Sequence, residues 1–171
     1  EDGQAVQVMD TAVNLSRTWT SRPVTTTAPV ARIRTDGETA ICVRFVGAAI
    51  QSAVVRPLSL GIVPAIEGDT VAFTLPGPAQ VTVDINGEQA GALHLFASAP
   101  EAAPPAGGGV TAYGDGLHDV GTVTLTDGQT VYLSAGAVVR GQFVAEGADH
   151  ISIRGPGVIG GSTFDRWENP T

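Results

Sequence analysis

The sequence contains no lysine, and all nine of its basic residues are arginines. With 17 acidic residues the formal net charge is −8, so the chain lacks the basic stripe that phosphate backbones and anionic lipids require. No apolar run approaches the roughly 18 residues that a membrane-spanning helix needs. These absences predict that the protein has no nucleic-acid partner and no membrane partner.

Cysteine is scarce as well. The single Cys42 excludes an intrachain disulfide, and its place in the apolar run AICVRFV predicts a small buried thiol. The three histidines are scattered along the chain, so we expect no structural zinc site, no other metal and no cofactor. Asp115, Asp127 and Asp149 lie in or near predicted turns and keep calcium as an alternative, although no Asp-x-Asp-x-Asp-Gly loop is present.

The abundant residues favour strands and turns. Hydrophobic residues make up 43% of the chain and charged residues 15%, with 22 glycines and 11 prolines, which is typical of a globular protein rich in turns. Short runs rich in valine, isoleucine and threonine follow one another from residue 4 to about residue 98. We therefore expect an all-β fold that begins with an Ig-like β-sandwich, in which Asp36-Gly37 and Asn86-Gly87 form tight hairpin turns.

One of these predicted strands contains the sequence VTVDI. Its alternation places Val81, Val83 and Ile85 on one face and Thr82 and Asp84 on the other. The pattern predicts a strand with one buried face.

A change of composition divides the chain. The stretch SAPEAAPPAGGG, residues 98–109, consists of small residues and proline with one charge, and it shows no periodicity. We therefore predict a β-sandwich domain at 1–98, a Pro/Ala/Gly linker at 99–109 and a second segment at 110–171.

The second segment repeats itself at a spacing of about 20 residues. Gly121, Gly141 and Gly161 fall in one column of this repeat. Four further columns are apolar and pair Val131 with Ile151, Leu133 with Ile153, Val138 with Val158 and Val139 with Ile159. A repeat of this length without a helical segment predicts a solenoid, namely the first coils of a right-handed parallel β-helix.

In such a helix the residues of the first two apolar columns point inward, while Tyr132 and Ser152 face outward. The glycines mark corners where a Cβ would obstruct the bend. The alternative is an antiparallel hairpin with its turn at Asp127-Gly128.

The segments GQTVYLSAGAVVRG and ISIRGPGVIGG, which follow a predicted sandwich and linker, resemble the front of β-helix carbohydrate-active enzymes. The similarity is greatest to glycoside hydrolase family 49, the dextranase and isopullulanase type, and more distant to the family 28 polygalacturonases. It covers residues 50–165. The resemblance implies a secreted, bacterial-type enzyme that hydrolyses a polysaccharide, endo-acting on an α-glucan or a similar polymer.

The resemblance also implies catalytic acids on later coils, which this chain does not contain. No position here matches the family's acidic motif, so the catalytic residues are unknown and this chain alone is expected to be inactive. Its expected partners are the polysaccharide substrate and a second polypeptide segment or chain that completes the β-helix.

Glycoside hydrolysis needs two carboxyl groups about 5 to 9.5 Å apart. Asp165 and Glu168, in STFDRWENPT, are the one local pair that invites this role, and Trp167 could stack on a sugar ring. The plainer interpretation is a polar loop that contacts substrate at most. His118-Asp119 lacks a neighbouring nucleophile and is interpreted as a loop.

Two other functions remain open. The chain could be a non-catalytic β module that binds carbohydrate or a protein, although 5% aromatic residues is little for a stand-alone sugar binder. It could also belong to a β-helix polysaccharide lyase or fructotransferase, because a fold does not determine its chemistry.

Overall fold

Strands form nearly all of the regular structure of the protein. A computed structural model describes residues 3–14, 25–47, 49–102 and 107–161. Within these ranges the fold is all-β, as predicted, with two short 3-10 helices and no α-helix. The chain divides into two compact units, one formed mainly by Thr27–Pro100 and the other mainly by the residues from Glu101 onward.

Among the described residues, eight strands precede the predicted linker. They are β1 (Val8–Asn14), β2 (Thr25–Arg34), β3 (Thr39–Arg44), β4 (Ala53–Arg56), β5 (Ala65–Glu67), β6 (Thr70–Leu75), β7 (Ala79–Ile85) and β8 (Leu93–Ser98). They form a five-stranded sheet in the order β1-β2-β8-β7-β4 and a three-stranded sheet in the order β3-β6-β5. β7 pairs antiparallel with β8 and β4, whereas β2 and β8 are parallel.

These two sheets contribute side chains to one hydrophobic core. Alternation along each strand turns every second residue inward, so β6 buries Val71 and Leu75 while β7 buries Val81 and Val83. Val71 and Leu75 are 0% exposed. The predicted alternation of β7 is therefore confirmed for its apolar face.

The prediction of a hairpin at Asp36-Gly37 is wrong. The strands on either side, β2 and β3, lie in different sheets, and Gly37 does not adopt a positive φ. Instead, the Thr35 hydroxyl donates a hydrogen bond of 2.7 Å to the carbonyl oxygen of Gly37. This segment therefore carries the chain from one sheet to the other.

The prediction of a buried thiol is also wrong, because Cys42 is exposed. Along β3 half-buried and exposed residues alternate. Ile41 and Val43 pack against the core, so Cys42 points to the opposite face.

Asn86 holds the segment before β4 in place. Its backbone takes φ 55° and Gly87 follows with φ 74°, as predicted, but the predicted tight hairpin is wrong, because residues 86–92 join β7 to β8. The side-chain Oδ1 accepts hydrogen bonds from the amides of Gln51 at 2.7 Å and Ser52 at 3.2 Å. The Nδ2 group donates to the carbonyl oxygen of Ala49 at 3.0 Å.

We expect Asn86→Ala to lower the free energy of unfolding by about 2 kcal/mol, because three hydrogen bonds and a residue suited to positive φ are lost together. Urea unfolding followed by circular dichroism measures the change. Asn86→Asp keeps the acceptor and loses only the donor, so its loss should be smaller. Equal losses in the two variants would show that the acceptor bonds contribute nothing.

Six strands lie beyond the predicted linker in residues 107–161, the part of this segment that the structure describes. They are β9 (Val110–Tyr113), β10 (Gly116–Thr124), β11 (Thr130–Leu133), β12 (Ala137–Val144), β13 (Ser152–Arg154) and β14 (Val158–Gly160). They form two three-stranded sheets, β13-β11-β9 and β10-β12-β14, in which every pair of described strands is parallel. Because β10 and β11 lie in different sheets, the alternative of an antiparallel hairpin at Asp127-Gly128 is wrong.

The predicted repeat register is confirmed in the sheet β10-β12-β14. Gly121 pairs with Gly141, Val123 with Phe143, Val138 with Val158 and Val139 with Ile159. The register shifts between Asp119 and Gly121, so that Gly116 pairs with Ala137 and not with Gly136, the residue 20 positions further along the chain.

The predicted register is wrong in the sheet β13-β11-β9, where Val131 pairs with Ile153 and not with Ile151. The cause is the length of the preceding connection. Residues 145–151 join β12 to β13, whereas only residues 125–129 join β10 to β11. β13 therefore begins two residues later than a strict repeat predicts.

The second unit has its own hydrophobic core, formed by Leu125, Val131, Leu133, Ala137 and Val139. Val131 and Leu133 point inward, as predicted. Two predictions of exposure are wrong: Tyr132, predicted to face outward, is only 8% exposed, and Ile153, predicted in an inward column, is 44% exposed. Tyr132 lies in the central strand of its sheet, beside Ala112 and Arg154, whereas Ile153 lies in the edge strand β13.

Candidate functional site

The residues that the sequence proposes as substrate contacts are Asp165, Trp167 and Glu168. All three lie outside the described residues. Their proposed role stays a prediction.

His118 and Asp119 lie in β10, so their interpretation as a loop is wrong. His118 Nε2 lies 2.7 Å from the carbonyl oxygen of Gly114, and the imidazole meets the Tyr113 ring edge-on with centroids 5.3 Å apart. Asp119 forms an ion pair of 2.6 Å with Arg140, its partner in the parallel ladder. These contacts tie both side chains to neighbours in their own unit.

Asp115 links the segment before β10 to the segment before β12. Its Oδ1 accepts hydrogen bonds from the Ser134 hydroxyl and from the amide of Gly136, the latter at 3.0 Å. These bonds, first that from Ser134, lower the pKa of Asp115. Asp127 Oδ1 likewise accepts a hydrogen bond of 2.8 Å from the backbone amide of Asp149.

Two of the three aspartates that the sequence offers as calcium ligands, Asp115 and Asp127, therefore accept hydrogen bonds from backbone amides. In the part of the chain that the structure describes, no group of three or more His, Cys, Asp or Glu side chains could hold a metal ion.

Acid is expected to destabilise the unit that contains Asp115. A carboxylate whose folded pKa is lowered contributes stability that is fully present above its unfolded pKa and is lost as the pH falls through the folded pKa. The free energy of unfolding should therefore decrease below about pH 4. Urea titrations at successive pH values should show a shallower decrease for Asp115→Asn, and parallel curves for the two proteins would argue against this role. The pKa of Asp69 is also lowered, mainly by its hydrogen bond from Arg44. Asp69 is present in both proteins, so it contributes equally to the pH dependence of each.

A cleft opens on the face of the five-stranded sheet that points away from the core. Its volume is about 340 Å³. The residues that line it come from β4, from β7 and from the connection between β7 and β8: Arg56, Thr82, Asp84, Gln89 and Ala92. We refer to it as the Asp84 cleft.

Asp84 is buried although it lies on the face away from the core, with its side chain only 4% exposed. The chain turns back after β7, and the 3-10 helix Gln89–Gly91 and Ala92 follow beside the strand. Asp84 Oδ2 lies 3.5 Å from Arg56 Nε, while Oδ1 is buried and has no hydrogen-bond partner. Leaving such an oxygen unpaired costs about 1 to 3 kcal/mol or more.

The sequence predicts the orientation of Asp84 but not its burial. The alternation in VTVDI places it opposite the core, where exposure is the ordinary expectation. The antiparallel pairing of β4 with β7 sets Val54 opposite Asp84 and Arg56 opposite Thr82, so Arg56 reaches the carboxylate from the neighbouring strand. Neither this register nor the return of the 3-10 helix has a local sequence signal.

No known family model matches the chain, and no curated protein matches it significantly. Among the described residues, no helix has the length and apolar character needed to cross a membrane.

Proposed function

We propose that the chain is the N-terminal portion of a secreted polysaccharide-degrading enzyme. In this proposal the first unit is an accessory β-sandwich, and the second unit forms the first coils of a right-handed parallel β-helix. The observation that carries the proposal is a unit of two successive strands that occurs three times: β9 and β10, β11 and β12, then β13 and β14. The first strands of the three units form one parallel sheet and the second strands form the other, at a spacing of about 20 residues.

The last described strands support a stack that continues. Ile153 in β13 is 44% exposed and Ile159 in β14 is 43% exposed, whereas their ladder partners Val131 and Val139 are 1% and 0% exposed. Each apolar column therefore ends on a half-exposed isoleucine. A further coil of the same kind would cover both side chains and pair the edges of β13 and β14 that no other described strand pairs.

The proposed role of this portion is that of a scaffold. Its resemblance to family 49 lies in coil segments, and the acids of that family lie on later coils. The contacts of Asp115, Asp119 and Asp127 also favour structural roles, because each accepts a hydrogen bond from a neighbouring turn or strand.

The chain alone is expected not to cleave dextran, pullulan or pectin, as a reducing-sugar assay would measure. A longer form that carries the later coils should be active, and Asp165→Asn and Glu168→Gln in that form should change its activity little. Hydrolysis by the chain alone, or a loss of several orders of magnitude in either variant, would place the catalytic acids in this portion and overturn the scaffold role.

A further inference from the structure

Asn86 and Gly87 form the only Asn-Gly pair of the sequence, and both residues are exposed. Such a pair is prone to deamidation, because glycine has no side chain to hinder the approach of its own backbone nitrogen to the asparagine carboxamide. The nitrogen attacks Cγ of Asn86 and gives its proton to solvent. The Cγ–Nδ2 bond then breaks with uptake of a proton, ammonia leaves, and water opens the resulting succinimide to aspartate or isoaspartate.

The fold holds both reacting groups in place. The Glu88 amide donates a hydrogen bond of 3.1 Å to the carbonyl oxygen of Ile85, which closes a β-turn around the pair and fixes the backbone of Gly87. The carboxamide of Asn86 is bound at both of its ends to the segment before β4, through two bonds accepted by Oδ1 and one donated by Nδ2.

Ring closure is incompatible with these contacts. It makes Cγ tetrahedral and joins it to the nitrogen of Gly87, so the carboxamide can no longer lie flat between its partners in the segment before β4. The three hydrogen bonds of the Asn86 side chain must therefore break before the succinimide forms.

We propose that Asn86-Gly87 is a latent deamidation site that the folded turn keeps closed. Deamidation then proceeds only from molecules in which the turn has opened locally, at the rate of the unfolded chain multiplied by the fraction that is open. The change is irreversible. Aspartate lacks the Nδ2 donor, and isoaspartate adds an atom to the backbone of the turn, so the product records that the segment before β4 has opened. The proposal is independent of the role of the parallel sheets.

Incubation of the chain at neutral pH, with and without guanidinium chloride, tests the site. Peptide mass spectrometry measures deamidation at residue 86 over time. The unfolded chain is expected to react at least about tenfold faster than the folded chain, because the hydrogen bonds that hold the carboxamide are already lost.

Asp36→Asn provides the matched control, because it creates a second Asn-Gly pair in the same unit. Asp36 is exposed, and its side chain has no hydrogen bond to another described residue. In the folded variant the pair at 36–37 should deamidate at least about tenfold faster than Asn86. In guanidinium chloride the two pairs should react at similar rates.

Two outcomes would overturn the proposal. The first is deamidation of Asn86 in the folded variant as fast as that of the pair at 36–37, which would show that the turn gives no protection. The second is an equal rate at residue 86 with and without guanidinium chloride. This second comparison uses the unsubstituted chain, so it decides the question even if Asp36→Asn fails to fold.

Discussion

Gly155→Ala is expected to lower the free energy of unfolding by about 3 to 5 kcal/mol, the largest effect of any glycine substitution in the second unit. Gly155 lies between β13 and β14 and takes φ 107°, a conformation that side chains rarely adopt. A Cβ placed there would overlap the carbonyl oxygen and the amide nitrogen of Leu133. Both atoms belong to the backbone, so no side chain can move to relieve the contact.

Gly114→Ala is the matched control for this substitution. Gly114 belongs to the same unit, does not have a positive φ, and a Cβ there would have no heavy atom within 4 Å. Urea unfolding should show a change of no more than about 0.5 kcal/mol for this variant. Similar losses in the two variants would indicate that the turn after β13 does not lie against Leu133 as described.

Most strands of the first unit could be predicted from the sequence because they combine alternation with clear turn residues at their ends. β6 and β7, with the sequences TVAFTL and AQVTVDI, have this pattern. β5 is only three residues long, every one of them exposed, and it has no such pattern, so the sequence does not predict it. Local propensity also does not say which strands pair, which is why the segment at Asp36-Gly37 looks like a hairpin although β2 and β3 lie in different sheets.

The parallel stacking could be predicted from the repeat, whereas the register in one sheet could not. Repeated glycine and valine columns signal that similar segments lie side by side. A connection that is longer by two residues shifts one strand against its neighbour, so Val131 meets Ile153 while Val139 still meets Ile159. The burial of Asp84 has the same kind of origin, because it depends on how β4 and the 3-10 helix Gln89–Gly91 lie beside β7.

The ladder that contains Val139 and Ile159 provides a second prediction with a large effect. Val139 is 0% exposed and lies in the core of the second unit, so Val139→Asp would bury a carboxylate among apolar side chains. This should lower the free energy of unfolding by more than about 4 kcal/mol. Ile159 pairs with Val139 but is 43% exposed, so Ile159→Asp in this chain should cost only about 1 kcal/mol.

The same pair of substitutions tests the proposed continuation of the stack. In a longer form that carries a further coil, a new strand beside β14 would bury the side chain at position 159 as fully as β14 and β10 bury Val139. Ile159→Asp should then become nearly as destabilising as Val139→Asp, and urea unfolding of the longer form would show it. A small effect of Ile159→Asp in both forms would mean that no strand covers β14, and the parallel sheets would then not be the beginning of a β-helix.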